Sequence, residues 1–216
     1  METGSTMHLD YIFDPLCGWC YGALPAMEQA GRHPGIAVEL VPSGLFAGGG
    51  AFPMNDGFAA HAWEADQRIA RLSGQPFSEA YRANVLGARG TRVDSGPATL
   101  ALTAVRLTAP ERELEALSAI QRVRYVAGRD NTDPAILSDV LQETGLDEAA
   151  RRFAAPDEAL VQANAARIEA GRTEMARFGV RGVPALVAGR GEARRLIGTE
   201  ALYGGLETLL ARLRGA

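Results

Sequence analysis

Two cysteines separated by two residues, Cys17-Gly18-Trp19-Cys20, are the side chains of this sequence best suited to chemistry. The run before them, MHLDYIF, is rich in aromatic and branched residues and reads as a strand that Asp14-Pro15 breaks. The run after them, YGALPAMEQAGR, reads as a helix that ends near Gly31 or Pro34. In a first helical turn, positions i and i+3 lie roughly 5–6 Å apart, which suits a disulfide. The helix N-terminus presents free N–H groups and the positive end of the peptide dipole, and both favour negative charge on the sulfur of Cys17. A thiolate is the form that attacks disulfides, so the spacing would supply a nucleophile, Cys17, and a resolving thiol, Cys20. Gly18 would leave room for a substrate backbone, and Trp19 would offer an apolar contact surface. Two other readings of the pair stay open: ordinary core cysteines, or half of a zinc site. Zinc needs two more ligands, and His8, His33 and His61 stand at no recognisable ligand spacing.

A second element is Val183-Pro184, at the start of a late strand. It could be a cis-proline turn facing the dithiol, where a residue without an N–H would discourage metal capture. The Val183 main chain could then pair with an extended substrate segment. From the spacing alone, an ordinary proline that begins a strand is the simpler reading.

These residues need elements to hold them. Residues 36–42, IAVELVP, alternate and are β-branched, so a β-α-β start with parallel strands and a right-handed crossover is expected. Pro25 lies inside the intervening helix and predicts a kink. A Gly-rich loop, SGLFAGGGAFPMNDG, follows, and its Gly48-Gly49-Gly50 reads as a mobile loop near the site. Residues from 55 to about 155 are then almost wholly helical, with Asn55 or Asp56, Asp94 or Ser95, and Asp133-Pro134 as caps. Trp63, Phe58, Phe77 and Tyr81 could line a groove there or simply fill the core. A helix runs from Asp157 toward Phe178, with a disturbance predicted at Gly171. Strands at 185–188 and 194–198 and one helix starting at Thr199 or Glu200 complete the chain. Arg194-Arg195 reads as a solvated face.

Composition bounds the rest. A length of 216 residues allows one to two domains and a real core. Hydrophobic residues make 47% and charged residues 22%, which argues against disorder. A net charge of -4 speaks against nucleic acid as a partner. Every cation is Arg, which excludes Schiff-base and phosphate-loop lysine chemistry. Two cysteines cannot build a disulfide-stapled mini-protein or a four-cysteine zinc site. No apolar stretch reaches the roughly 18 residues of a membrane span, so no membrane partner is expected. The start has no basic region and no long apolar run, so no signal peptide is expected; METGST reads as a tail or expression scar, with the cytoplasm as the default compartment.

The residues DPLCGWCYG, with the late GVRGVPAL, resemble the DsbA-like branch of the thioredoxin superfamily, and within it the cytosolic FrnE-related group of protein-disulfide isomerases. SGLFAGG, RLSGQPF and DSGPATLAL extend the resemblance over about residues 7–214. It implies an α/β thioredoxin-like fold, a four-stranded mixed sheet from residues 7–45 and 156–216, with an inserted all-helical domain at 46–155. It implies Cys17 as nucleophile, Cys20 as resolving thiol and Pro184 as cis, with Gly18, Trp19, Val183 and Pro184 contacting substrate. Disulfide-containing proteins or peptides would be substrates. Glutathione or a thioredoxin-system reductant would be the redox partner, and no cofactor beyond the Cys17–Cys20 disulfide is implied. The Gly-Trp dipeptide replaces the Pro-His of strongly oxidising relatives, which predicts a more reducing couple. Tyr11 stands where many relatives bury an acid, and Asp10 or Asp14 could take over as proton acceptor, although Asp14 reads more simply as a solvated strand-end acid. Two rival functions share the features: a glutathione-dependent isomerase or transferase of the 2-hydroxychromene-2-carboxylate isomerase or kappa-class type, from which Cys20 distinguishes this chain, and a non-enzymatic peptide-binding, chaperone-like module.

Overall fold

The computed structural model describes residues 6–214; all of METGST except Thr6, and the last two residues, lie outside the described residues. Strand β1 (Met7–Phe13) leads through a tight turn into helix α1 (Gly18–Gly31) and strand β2 (Ile36–Pro42). β1 and β2 pair in parallel, Tyr11 opposite Leu40, as the β-α-β pattern requires. α1 continues through Pro25, which has no N–H to give the carbonyl of Tyr21; Gln75 Nε2 donates to that oxygen instead, at 3.2 Å.

The Gly-rich loop is more ordered than its composition suggests. Gly48–Gly50 form a 3₁₀ turn, and strand β3 (Phe52–Pro53) pairs with strand β4 (Arg92–Val93) in a two-residue ladder. Between them lie α2 (Asp56–Ser73) and the single turn α3 (Glu79–Tyr81), which runs on as a π-helical turn to Leu86. The Asn55 side chain caps α2 by accepting from the N–H of Phe58 at 2.9 Å. Next come α4 (Gly96–Thr108), α5 (Glu113–Tyr125), α6 (Pro134–Glu143), α7 (Asp147–Ala154) and α8 (Glu158–Arg177). Asp133 accepts from Ala135 N–H and Pro134 opens α6, as the sequence pattern indicates.

α8 is not disturbed at Gly171. It passes so close to the end of β2 that a Cβ there would lie 2.2 Å from the Pro42 carbonyl oxygen. The glycine permits contact between helix and sheet. β5 (Ala185–Ala188) then pairs antiparallel with β1, and β6 (Arg195–Ile197) antiparallel with β5, so the sheet order is β2-β1-β5-β6. The C-terminal segment is divided, contrary to the single helix expected. A 3₁₀ turn over Thr199–Leu202 is followed by a break and then α9 (Gly205–Arg214), where Gly205 takes a φ of 78°.

The two faces of the sheet follow the period of two along β1. Leu9, Tyr11 and Phe13 face α1 and the helical segment, while Ile12, Ala185 and Val187 pack against Met175 and Phe178 at the end of α8. Arg194 is not a solvated cation: it bridges Asp10 on β1 and Glu174 on α8. Arg195 donates to the carbonyl of Leu213 at 2.7 Å and so ties β6 to α9. Among the described residues no helix is long and apolar enough to cross a membrane.

Candidate active site

The turn between β1 and α1 holds the dithiol. Cys17 is the N-cap of α1, with extended backbone (φ -83°, ψ 118°), and its N–H donates to Asp14 O at 3.1 Å. Cys20 lies one turn along on the buried side. Cys17 keeps 7% of its surface exposed and Cys20 none. Both are free thiols. Burial, and then the neighbouring Cys17 thiol, pushes the Cys20 thiol well above its ordinary range. The helix places the two sulfurs together with unequal access to solvent, the asymmetry a nucleophile and a resolving thiol need.

The Val183–Pro184 peptide bond is cis, and the Val183 carbonyl oxygen accepts from Cys17 Sγ at 3.5 Å. Residues 166 apart in sequence thus meet at the sulfur. Beside them opens a cleft of about 480 Å³ lined by Trp19, Arg68, Leu72, Val183, Pro184, Thr199, Glu200 and Tyr203. The Tyr203 hydroxyl donates to Trp19 O at 3.0 Å, and the two rings meet edge to face at 5.7 Å. The Arg68 guanidinium lies over the other ring system of this wall, 5.7 Å from the Trp19 centroid. The candidate residues Cys17, Trp19, Val183 and Pro184 therefore come together, with Cys20 beneath them. Gly18 faces the helical segment: a Cβ there would lie 2.3 Å from Asp66 Oδ1, so this glycine admits a carboxylate from α2.

Several site residues escape a reading of the sequence. Asp14 is not a solvated strand-end acid but fully buried. Its carboxylate accepts from Leu16 N–H at 2.9 Å, Phe46 N–H at 3.1 Å and Ser95 Oγ at 2.7 Å, which clasps the active-site turn to the loop after β2 and to the start of α4. Burial raises its carboxyl above the usual range, and these three donors act in the opposite direction. Tyr125 Oη and Gln121 Nε2 hold the carbonyls of Leu16 and Pro15, at 2.7 and 3.5 Å. Tyr81 and Phe77 pack with Tyr21 and Tyr125 in the core, and Trp63 alone of the aromatic quartet borders a separate surface cleft. Among the described residues no group of three or more His, Cys, Asp or Glu is arranged to hold a metal.

Asp66 is 4% exposed and accepts from Tyr81 Oη at 3.0 Å. Burial pushes its carboxyl up to about 7. The folded chain thus keeps a proton that the unfolded chain, with an ordinary carboxyl near 3.8, has already lost. Stability therefore falls as pH rises from about 4 to about 7 and is flat above. Asp66→Asn, which retains the acceptor for Tyr81, is expected to melt higher than the parent at pH 8, by on the order of 2–4 kcal/mol, and close to it at pH 4. Thermal melts across that range check this; parallel pH profiles for the two proteins would contradict it. A signal for Asp66 was present in the sequence: with Trp63 and Ile69 it shares the three-residue spacing of the inner face of α2.

The chain matches the DSBA-like thioredoxin domain over residues 8–205. It is similar to the cytosolic disulfide reductase DsbM from Pseudomonas aeruginosa, with 31% identity and a TM-score of 0.84, over 97% of this chain and 100% of that one. The structure of DsbM with GSH matches at 31% identity and a TM-score of 0.82, over 96% and 98% of the two chains. A 2-hydroxychromene-2-carboxylate isomerase matches at 19% identity and a TM-score of 0.62, over 95% of each chain, a likeness of fold. No curated protein sequence matches it.

Proposed function

The chain belongs to the DSBA-like thioredoxin domain family of disulfide oxidoreductases, and from that premise we propose that it is a cytosolic thiol–disulfide oxidoreductase that uses glutathione as its thiol partner. Cys17 is the nucleophile and Cys20 the resolving thiol. The observation that carries this reading is the position of Cys17: an N-cap sulfur against the Val183 carbonyl, with the fully buried Cys20 three residues along the same helix. A substrate disulfide entering over Trp19 meets Cys17 first. The Val183 main chain, Pro184 and the Trp19 face form the surface it lies on. Attack by the Cys17 thiolate forms a mixed disulfide and expels one substrate thiolate; Cys20 then attacks Cys17, closes the Cys17–Cys20 bond and releases the second. Two molecules of glutathione restore the dithiol.

Glutathione is supported by the DsbM structure with GSH and by the small cleft beside Cys17. The cytosolic relative likewise supports a cytoplasmic location. Residues 7–45 and 156–216 form the thioredoxin-like unit in this reading, and 46–155 the helical insertion that supplies Asp66 and Arg68 to the site. Cys20 favours redox chemistry over glutathione-dependent isomerisation, which needs no second thiol. The test is reduction of insulin or of a small disulfide at the expense of glutathione. The parent chain is expected to turn over and Cys17→Ser to fall to background; equal rates would end the proposal.

A further inference from the structure

The cleft beside Cys17 holds a charge that the cycle above does not use. Arg68 stands on α2, in the helical insertion, and lies over the Trp19 ring at 5.7 Å from its centroid. Other arginines nearby are paired: Arg82 with Glu79, Arg89 with Asp56, and Arg212 with Glu200 at 3.3 Å. Among the described residues Arg68 has no such partner, and Asp66, two residues before it, gives one carboxylate oxygen to Tyr81 and rests the other against Gly18. Arg68 and Glu200 are the two charged residues lining this cleft, and Glu200 already has its arginine. The uncompensated charge of the cleft is therefore positive. Leu72, one turn beyond Arg68 on the same helix, is 50% exposed and adds apolar surface to the same wall.

We propose that Arg68 is a specificity-determining residue that takes a carboxylate of the substrate, so that the site prefers disulfides with an acidic group near the sulfur. The inference rests on the oxidoreductase reading and names the class of disulfide which that reading leaves open. A guanidinium carries its N–H donors in its own plane, so an arginine lying over an aromatic ring still has them to give. The fork they form matches a carboxylate, which can accept two of them side by side. The Trp19 face holds the cation beside the surface on which the substrate lies, so less side-chain freedom is lost when the pair forms. The attraction also acts before contact, since an unpaired cation at the mouth of a cleft draws anions toward it. The carboxylate can come from a small acidic thiol or from an acidic residue beside a peptide cysteine. An ammonium at the same place on the substrate meets the unpaired cation and is disfavoured.

The test mixes the reduced protein with dithiodipropionate, bis(hydroxyethyl) disulfide or cystamine, which end in a carboxylate, a hydroxyl and an ammonium. Formation of the Cys17–Cys20 disulfide is followed by acid quench and intact mass. Each rate is divided by that of the same disulfide with dithiothreitol, which removes its intrinsic reactivity. The parent is expected to favour the carboxylate over the hydroxyl about fivefold, the scale of an ion pair at an exposed guanidinium, and to take the ammonium slowest. In Arg68→Gln that ratio falls toward one, and Arg68→Lys keeps part of it. Oxidised glutathione, and a pair of peptide disulfides with Glu or Gln beside the cysteine, extend the comparison to the two natural sources of the carboxylate; loss of preference in Arg68→Gln for either one supports the inference. Should Arg68→Gln not fold, the parent alone decides, because its ratio must fall in about 0.5 M salt. A parental ratio near one, or a ratio that neither Arg68→Gln nor salt lowers, overturns the inference and leaves the oxidoreductase reading intact. A parent that no disulfide in the series oxidises overturns both.

Discussion

Cys20→Ser is expected to stop turnover while leaving one half of the attacked disulfide covalently attached to Cys17, a glutathione adduct when oxidised glutathione is the disulfide. The first attack needs the Cys17 sulfur alone and is unaffected. The second needs a thiol held near the Cys17 sulfur, and Cys20 stands one turn along the same helix. An intramolecular attack of this kind acts with an effective concentration of up to about 10⁵ M or more, far above any cellular thiol. The substitute route, attack by a second glutathione, is bimolecular and lacks that advantage. Steady-state reduction of disulfides should therefore drop to near the uncatalysed level, with an adduct that persists in intact mass spectra and disappears on strong reduction. A Cys20→Ser protein with parental turnover and no adduct would place the chemistry on Cys17 alone and favour a glutathione-dependent isomerase or transferase.

The largest effect on stability is expected at Asp14. Its carboxylate is the common acceptor for Leu16 N–H, Phe46 N–H and Ser95 Oγ, all inside the protein. Asp14→Ala leaves three donors without a partner, at about 1–3 kcal/mol each, so a loss of roughly 3–9 kcal/mol is expected. That is a large share of the approximately 5–15 kcal/mol that keeps a domain folded. The loss should extend to the site, because the carboxylate fixes Leu16, the residue before Cys17. Denaturant titration measures the first effect, and the rate of Cys17 alkylation the second. A change in stability below about 1 kcal/mol would show that the three donors find water instead.

The local parts of this architecture were legible. The dithiol and the caps at Asn55 and Asp133 depend on neighbours within four residues, and the β-α-β start follows from the strand and helix patterns of residues 7–42; the expected and observed elements agree there. What was misread depends on partners far along the chain. Asp14 follows a strand and looks solvated until Phe46 and Ser95, 32 and 81 residues away, are brought to it. Arg194 looks like part of an exposed basic pair until Asp10 and Glu174 flank it. Gly171 suggests a weak point in a helix, because a sequence does not reveal that the Pro42 carbonyl lies against it. The division at Gly204 and Gly205 was visible as two adjacent glycines, but the leucine spacing on either side masked it. The cis bond at Val183–Pro184 came from resemblance rather than from composition, since the same dipeptide begins ordinary strands.

The most direct measurement is an equilibrium one: the protein is incubated in glutathione buffers from fully reduced to fully oxidised, and its free thiols are counted by alkylation and mass. Cys17 and Cys20 are expected to be lost together in a single two-electron transition, leaving an intramolecular disulfide and no lasting glutathione adduct. Loss of one thiol at a time, or a Cys20 that stays reduced throughout, would contradict the account.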